Sequence, residues 1–229
     1  MYKILSVGGS IVIPKTGFNV PFLKKFKAMI LRRVSQGEKF ILVIGGGATA
    51  RLYQAGAQKT SKLSNDELDE LGIYTTVLNA QFVRYMFKDF AYNEVVSNPT
   101  KKIKTDKAII IASGWKPGCS TDYDAVLLAK TYGAKEVLNL SNIEYVYDKD
   151  PAKFKNAKKI EEIGWEAFRR DIVGDKWVAG NNAPFDPIAS REAQKLGLVV
   201  SILKGSDLAE VQKALSGKKF RGTVVGKTL

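Results

Sequence analysis

The sequence predicts an α/β protein with a mostly parallel, open sheet and helices on both faces. Short apolar runs alternate with longer segments that have the apolar spacing of helices. Several short runs are apolar at nearly every position, as in strands buried on both faces. Strands joined by helices form right-handed crossover units, and these give parallel strands. The predicted strands are Ile4–Val7, Phe40–Ile44, Ala108–Ala112, Glu136–Leu140 and Val199–Leu203.

Helices are predicted between these strands, and residues that usually begin or end helices stand at their limits. Pro21 suits a first helical turn, with Asn19 close by as a cap. Gly37, Gly133 and Gly197 each follow a helical segment, where glycine commonly ends a helix. The predicted helices are Pro21–Ser35, Thr49–Gln58, Asp66–Phe87, Ala125–Tyr132, Trp165–Ile172, Pro187–Leu196 and Asp207–Leu215.

The composition is that of an ordinary globular protein. The chain has 229 residues, of which 45% are hydrophobic and 26% charged, enough for one domain with two lobes around a cleft. Its apolar runs are too short to span a membrane, so no membrane partner is expected. The N-terminus lacks the layout of a signal peptide. Cys119 is the only cysteine, which excludes an intrachain disulfide and favours a cytoplasmic location.

The net charge of +13 has two interpretations, a surface that attracts polyanions or a lysine-rich solvated surface. The basic residues are scattered, with no stripe of interleaved aromatics, so we expect no nucleic-acid partner. The chain contains no histidine, which excludes histidine-based triads, proton shuttles and metal sites. With a single cysteine as well, we predict no metal-ligating residues.

Three consecutive glycines, Gly45 to Gly47, separate a predicted strand from a predicted helix. A loop without Cβ atoms lets its backbone approach a ligand closely. The free N–H groups and the dipole at the start of the helix then face a negative group. Arg51 follows one turn into the helix, within reach of a phosphate. The glycines therefore predict a phosphate site.

Polar loops also follow three other predicted strands. They are Gly8-Gly9-Ser10, the segment from Ser113 to Asp122, and Ser141-Asn142. In an open parallel sheet, such loops gather at the carboxyl ends of the strands, where ligands bind. Two glycine loops suggest two phosphate sites, and Ser120 and Thr121 add hydroxyl donors. Two phosphorylated ligands that face each other suggest phosphoryl transfer.

Two other nucleotide motifs were compared with the glycine loop. The P-loop pattern G-x-x-x-x-G-K-[ST] is absent. Gly45-x-Gly47-x-x-Ala50 fits the dinucleotide pattern, which also needs an acidic residue about 20 positions on, at the end of a second strand. Asp66, Glu67 and Asp69 have roughly that spacing but fall in a helix-starting segment with no strand before them. We interpret the match as accidental.

In their order along the chain, these motifs resemble the amino acid kinase family, and most closely its archaeal-type uridylate (UMP) kinases. The resemblance covers nearly the whole chain. It rests on the glycine loops and on the segments Gly45–Tyr53, Leu68–Ile73, Pro117–Thr121, Asn142–Pro151 and Phe185–Ala189.

The resemblance implies transfer of the γ-phosphoryl of ATP to UMP, with Mg²⁺, in pyrimidine nucleotide biosynthesis. It implies an N-terminal part that binds UMP, a C-terminal part that binds ATP, and a homo-oligomer, typically a hexamer. The implied ATP-binding residues are Gly9, Ser10, Gly47, Arg51, Ser141, Tyr147 and Asp150. The implied UMP-binding residues are Gly46, Asp69, Trp115, Lys116, Pro117, Gly118, Cys119, Ser120 and Thr121.

The chain departs from the family where many relatives carry a lysine, at Ser6 and Ala48. Lys116 is a candidate substitute cation, although an exposed loop lysine explains it equally well. Asp122 and Asp186 are expected to organise cationic groups or Mg²⁺. As isolated residues, both are more simply helix caps. Lys116, Asp122 and Asp186 are therefore the predicted catalytic residues.

Two alternatives stay open within this fold. One is a kinase of another small phosphate or carboxylate; an isopentenyl phosphate kinase is disfavoured because its glycine loop uses a histidine. The other is a nucleotide-binding sensor or storage protein with weakened catalysis, suggested by Ser6 and Ala48. A nucleic-acid-binding protein is supported by charge alone.

Overall fold

Strands and helices alternate along the chain, and the structure contains all five predicted strands. The computed structural model describes residues 1–176 and 183–226. The strands in those ranges are β1 (Tyr2–Val7), β2 (Lys39–Ile44), β3 (Ala91–Val96), β4 (Ile109–Ala112), β5 (Glu136–Ser141), β6 (Val146–Tyr147), β7 (Lys159–Ile160), β8 (Glu162–Ile163), β9 (Val199–Lys204) and β10 (Thr223–Val225).

The predicted helices are also present, with ends that differ by a few residues. A π-helical turn, Arg169–Val173, continues the sixth helix. The helices in the described ranges are α1 (Gly9–Val12), α2 (Val20–Val34), α3 (Gly47–Thr60), α4 (Asn65–Met86), α5 (Thr121–Tyr132), α6 (Trp165–Phe168), α7 (Pro187–Lys195) and α8 (Leu208–Leu215).

Side-chain and glycine caps set the helix limits much as predicted. The Asn19 side chain accepts a hydrogen bond from the Phe22 N–H at the start of α2. Gly37, Gly133 and Gly197 have φ values of 88°, 73° and 62°, the left-handed conformation that ends a helix. Local cap residues therefore mark these helix limits in the sequence.

Two helix starts differ from the prediction. The segment Gly8-Gly9-Ser10 was predicted as a loop, but α1 begins at Gly9, directly after β1. Helix α5 begins at Thr121 rather than at Ala125, because the Ser120 side chain accepts a hydrogen bond from the Asp122 N–H and caps it. Both helices therefore begin inside loops that the sequence predicts to bind ligands.

The main sheet is mostly parallel, as predicted. Within the described residues, eight strands form it in the order β3-β4-β2-β1-β5-β9-β10-β8, and β6 pairs with β7 in a separate hairpin. The pairing of β9 with β10 is antiparallel, and the other pairs of the main sheet are parallel. Strand β3 was not predicted. It lies at the edge, half-exposed, and so lacks the continuous apolar run of a central strand.

Helices cover the sheet on both faces, which makes it a three-layer sandwich. Alternate strand residues serve the two sides: Leu5 packs into one apolar cluster with α2, α4 and α8, and Ile4 packs into another with α5, α6 and α7. The carboxyl ends of β1, β2, β4 and β5 therefore meet at one edge. None of the described helices is long and apolar enough to cross a membrane.

A matched pair of Gly→Ala substitutions tests the helix limits. Added Cβ atoms would meet nothing within 4 Å at Gly56, inside α3, or at Gly133, which ends α5. Gly133→Ala forces an L residue into the left-handed region and should lower the free energy of unfolding by about 1 kcal/mol. Gly56→Ala should raise it by about 0.5–1 kcal/mol through helix propensity. Urea denaturation measures both, and shifts of the same sign would contradict the assignment.

Candidate active site

Two neighbouring cavities open at the carboxyl edge of the sheet. The first cavity has a volume of about 220 Å³ and the second about 230 Å³. Both are lined by Gly46, Gly47, Arg51 and Thr121, so a single wall of backbone and side chains separates them. The geometry suits two ligands whose ends come close together.

The first cavity gathers most of the residues predicted to bind UMP. Pro117 and Gly118 belong to the loop on its rim, residues 113–120. Gln54, Thr76 and Gly114 also line the cavity. Gly114 belongs to a polar loop that the sequence predicts to bind a ligand, whereas the sequence alone gave no signal for Gln54 and Thr76. The predicted residues that line it are Gly46, Asp69, Trp115, Lys116, Cys119, Ser120 and Thr121.

The second cavity gathers five of the residues predicted to bind ATP. Tyr147 and Asp150 are not among the described residues that line either cavity. Tyr147 lies on β6 and Asp150 in the turn after it. Their ATP-binding role stays a prediction. The predicted residues that line the second cavity are Gly9, Ser10, Gly47, Arg51 and Ser141, with Asp122 from the catalytic set and Ser6, Asn139 and Asn142 in addition.

The two glycine loops touch through their backbones. A Cβ atom on Gly9 would overlap the Gly47 nitrogen and the Gly45 carbonyl, so no side chain fits there. Gly47 has a φ of 64°, which glycine adopts without strain. The Gly45 N–H donates to the Val7 carbonyl at 3.0 Å, which ties the second glycine loop to the end of β1. The backbone of both loops can therefore approach a ligand closely, as predicted.

Two cationic side chains stand at the first cavity. Arg51, in the second turn of α3, donates to the Ser10 hydroxyl at 2.9 Å and so links the two glycine loops. The Lys116 ammonium lies 4.5 Å from the centre of the Trp115 ring, in a cation–π contact. Arg51 also lines the second cavity, which places its guanidinium between the two sites.

Carboxylates from distant parts of the chain hold the 113–120 loop. The Gly118 N–H donates to Asp69 Oδ2 at 2.9 Å, and the Ser120 N–H donates to Asp186 Oδ2 at 2.7 Å. Asp69 belongs to α4, whereas Asp186 stands at the start of α7. The loop is thus attached to α4 and to the start of α7, which pack on opposite faces of the sheet.

Asp186 is a helix cap, as its simplest interpretation suggested. Its Oδ1 accepts hydrogen bonds from the N–H groups of Ile188 and Ala189, at 2.6 and 3.2 Å. Its side chain is buried and bonds to the 113–120 loop through the other oxygen. The structure thus shows a structural role for Asp186, and its predicted catalytic role stays a prediction.

Asp122 is not a helix cap, because Ser120 caps α5. Its Oδ1 instead accepts hydrogen bonds from the Ser6 hydroxyl at 2.8 Å and the Asn139 amide at 3.1 Å. Burial raises the pKa of Asp122 to about 7, against the lowering effect of the Ser6 and Asn139 hydrogen bonds, and nearby Asp186 adds to the rise. Near neutral pH, much of this carboxyl therefore stays uncharged beside the second cavity.

Asp124 is a second acidic residue in the first turn of α5, two positions after Asp122. It is 1% exposed, and its Oδ1 has no hydrogen-bond partner within the described part of the chain. Burial raises its pKa well above the ordinary value, and nearby Asp186 and Asp122 raise it further.

Burial also raises the pKa of the Cys119 thiol to about 12, so this thiol stays neutral and is not a nucleophile.

Within residues 1–176 and 183–226, no cluster of three or more histidine, cysteine, aspartate or glutamate side chains forms a metal site. Asp122 is the carboxylate that lines the second cavity. Mg²⁺ commonly binds through one or two carboxylates together with the phosphates of a substrate. This donor set therefore fits a magnesium ion that a phosphorylated ligand carries, with Asp122 as its protein partner.

Comparison with known sequences assigns the chain to a family. A model of the amino acid kinase family matches residues 1–204. The chain is 33% identical over 227 residues to a uridylate kinase of Methanospirillum hungatei, covering 97% of this chain and 93% of that protein. It is 30% identical over 228 residues to a uridylate kinase of Methanocorpusculum labreanum, covering 98% and 95%. The chain belongs to the amino acid kinase family.

Solved structures support the same assignment. A crystal structure of uridylate kinase from Archaeoglobus fulgidus superposes with a TM-score of 0.80 at 25% identity, over 98% of this chain and all of the other. A UMP kinase from Bacillus anthracis gives a TM-score of 0.79 at 19% identity, over 100% and 96%, and shows the shared fold. The predicted fold class and family are both confirmed.

The buried carboxyls predict a pH-dependent stability. The pKa of such a carboxyl is higher in the folded protein than in the unfolded chain. Its contribution to the free energy of unfolding is therefore fully present below about pH 4 and is lost as pH rises through the folded-state pKa. Each unit of raised pKa corresponds to ~1.4 kcal/mol, or about 3–5 °C in a chain of this length. Asp124→Asn keeps the shape and removes the charge, so its melting temperature should exceed that of wild type increasingly from pH 5 to pH 8.

The control is Asp89→Asn, the same change at an exposed aspartate. It should follow the wild-type melting curve at every pH. An Asp124→Asn difference that is constant across this pH range would show that Asp124 is ionised in the folded protein throughout it.

Proposed function

We propose that this protein transfers the γ-phosphoryl group of ATP to UMP, giving UDP and ADP. The observation that carries the proposal is the wall that the two cavities share, built from Gly46, Gly47, Arg51 and Thr121. The uridylate kinases at about 30% identity over nearly the whole chain support the same reaction.

UMP would occupy the first cavity and the phosphates of ATP the second. Asp69 is buried at the first cavity and would bind the UMP nucleoside, while Ser120 and Thr121 would bind its phosphate. Gly9, Ser10 and Gly47 would bind the ATP phosphates. We also propose that UMP is bound mainly by the N-terminal part and ATP mainly by the C-terminal part, although both glycine loops of the N-terminal part would contact the ATP phosphates.

The reaction needs little covalent chemistry from the protein. An oxygen of the UMP phosphate attacks the γ-phosphorus, and the bond from that phosphorus to the β–γ bridging oxygen breaks, so that ADP leaves. The second pKa of a phosphate monoester is about 6, so the attacking oxygen is already deprotonated near pH 7. No general base is required, which explains how a chain without histidine catalyses the transfer.

The protein's contribution is to position the reactants and to neutralise their charge. Arg51 lies between the cavities, and Lys116 stands on the acceptor side, where it would replace the lysine that relatives carry elsewhere. Bound Mg²⁺, with Asp122 as its protein partner, would reduce the negative charge on the ATP phosphates. Asp186 would act by holding the 113–120 loop against UMP.

A second candidate function is a nucleotide-binding sensor with weak catalysis. The observation that favours it is at Asp122, where a neutral hydroxyl, that of Ser6, donates the hydrogen bond. Ala48, in the first turn of α3, also adds no positive charge. Both cavities would then bind their ligands without rapid transfer between them.

We also propose a homo-oligomer, because α4 exposes an apolar stripe. Tyr74 and Leu78 are 72% and 61% exposed, and Val77 and Tyr85 continue the same face at helical spacing. A contiguous apolar patch of this kind usually marks a protein–protein contact. The hexameric order follows only from the family resemblance.

A cytoplasmic location stays a proposal that rests on the single cysteine.

An acceptor panel tests the reaction. The protein is incubated with ATP, Mg²⁺ and either UMP, CMP, AMP, isopentenyl phosphate or carbamate, and ADP release is measured. We expect turnover with UMP. Turnover with another acceptor alone would replace the substrate, and binding of UMP and ATP by calorimetry without turnover would establish the sensor.

Arg51→Ala links this activity to the site. Removing the guanidinium between the cavities should lower kcat/KM about 100-fold or more, as expected for a charge that stabilises the transferring phosphoryl group. Arg170→Ala is the matched control, since Arg170 is exposed and pairs with its neighbour Asp171. Wild-type kcat/KM in the Arg51 variant would show that the site is misassigned.

The oligomer is tested by charging the stripe. The monomer mass is 25.2 kDa, and light scattering after gel filtration should give a multiple of it for wild type. Leu78→Asp should lower the measured mass, because a carboxylate would be buried at the contact. Phe154→Asp, at an exposed aromatic outside α4, should leave it unchanged. A monomeric wild type would refute the proposal.

A further inference from the structure

Asn79 of α4 holds the second glycine loop from behind. It is 0% exposed. Its Nδ2 donates to the Gly45 carbonyl at 2.9 Å and to the Gly46 carbonyl at 3.0 Å. A primary amide has two N–H hydrogens, and here each is used on one of two consecutive peptide groups. Nothing in the sequence pattern singles out Asn79, which sits in the middle of a helix.

These two hydrogen bonds also set the direction of the loop's own N–H groups. In a planar trans peptide, the C=O of one residue and the N–H of the next point in opposite directions. With the carbonyls of Gly45 and Gly46 turned towards Asn79, the N–H groups of Gly46 and Gly47 point away from it. Gly46 and Gly47 line both cavities, so these N–H groups are available to bound phosphates.

The loop needs such an external hold because glycines restrain themselves poorly. Three consecutive glycines have more backbone freedom than any other tripeptide and lack side chains that could pack. The Gly46 carbonyl also accepts a weaker bond, at 3.3 Å, from the Ala50 N–H in the first turn of α3. Asn79 therefore supplies the short hydrogen bond to Gly46.

The burial of Asn79 is itself unfavourable. Its Oδ1 has no hydrogen-bond partner in the part of the chain that the structure describes. Leaving a buried amide oxygen unpaired costs free energy, and an apolar side chain would avoid that cost. Ala80 and Val83, close by on α4, show that apolar residues pack well in this region.

We propose that Asn79 is a positioning residue for phosphoryl transfer: it fixes the glycine-loop peptides so that the N–H groups of Gly46 and Gly47 face the phosphates of both ligands. This inference rests on the proposed function and adds a residue that touches neither ligand. Its effect should appear in the binding of phosphate groups and leave the binding of the nucleoside largely unchanged.

The test is Asn79→Leu, which removes both donors and keeps the number and branching of the side-chain heavy atoms. Loss of the two hydrogen bonds should lower the affinity for UMP and kcat/KM by about tenfold or more. Uridine, measured as a competitive inhibitor, should bind the variant within about twofold of wild type. The control is Thr131→Val, which removes a 2.7 Å hydrogen bond from Thr131 to the Pro99 carbonyl, away from both cavities. Its constants should stay within about twofold of wild type.

Two outcomes would overturn the inference. One is a folded Asn79→Leu protein with wild-type affinity for UMP. The other is an equal loss for UMP and uridine, which would indicate a general distortion of the cavity. If the variant does not fold, amide NMR spectra of the wild-type protein are recorded with UMP and with uridine. UMP should shift the Gly46 and Gly47 N–H resonances, and uridine should not. Shifts that are equal for the two ligands would refute the proposal.

Failure of the proposed function is distinguishable from failure of this inference. A wild-type protein that neither binds nor phosphorylates UMP would refute the UMP kinase assignment. The role of Asn79 is then tested by measuring the affinity of each protein for inorganic tripolyphosphate alone. Asn79→Leu should bind it about tenfold more weakly than wild type and Thr131→Val equally well, and equal binding by all three proteins would refute the role.

Discussion

The backbone contact between the two glycine loops is the constraint on which the rest of the site depends. Strands β1 and β2 are adjacent and parallel, with Val7 opposite Ile44, so their loops leave the sheet side by side. The missing side chain of Gly9 lets the loops touch, since any Cβ there would overlap Gly45 and Gly47. The two cavities can share one wall only because this contact is so close.

Helix α4 then fixes the geometry that the glycines leave free. The carboxylate of Asp69 accepts the Gly118 N–H, the hydroxyl of Thr76 accepts the Gly114 N–H, and the amide of Asn79 holds the other loop. The exposed apolar stripe runs along the same helix. The proposed subunit contact and the loop geometry therefore depend on one element, so a partner packed on α4 would also stabilise the site.

The electrostatics of the site are unusual for one that binds anions. Burial raises the pKa of both Asp122 and Asp124 and so favours their uncharged forms near the start of α5. The nearby Asp186 raises the pKa of both further, and the described contacts of Asp122 are with a neutral hydroxyl and an amide. The buried Asp124 therefore adds little negative charge near the proposed phosphate sites, and a bound Mg²⁺ would favour the ionised form of Asp122.

The sequence by itself determined the central strands, the helix caps and the glycine loops, because apolar spacing, caps and glycine conformation are local properties. It also placed most of the cavity-lining residues through motif resemblance. Tertiary structure alone decided that Asp186 holds Ser120, 66 residues away, and that Asn79 holds Gly45 and Gly46. It also decided the edge strand β3. These hydrogen bonds join segments that are far apart in the chain, so no local sequence pattern predicts them. An edge strand depends on pairing with a neighbouring strand, so its own sequence does not predict it either.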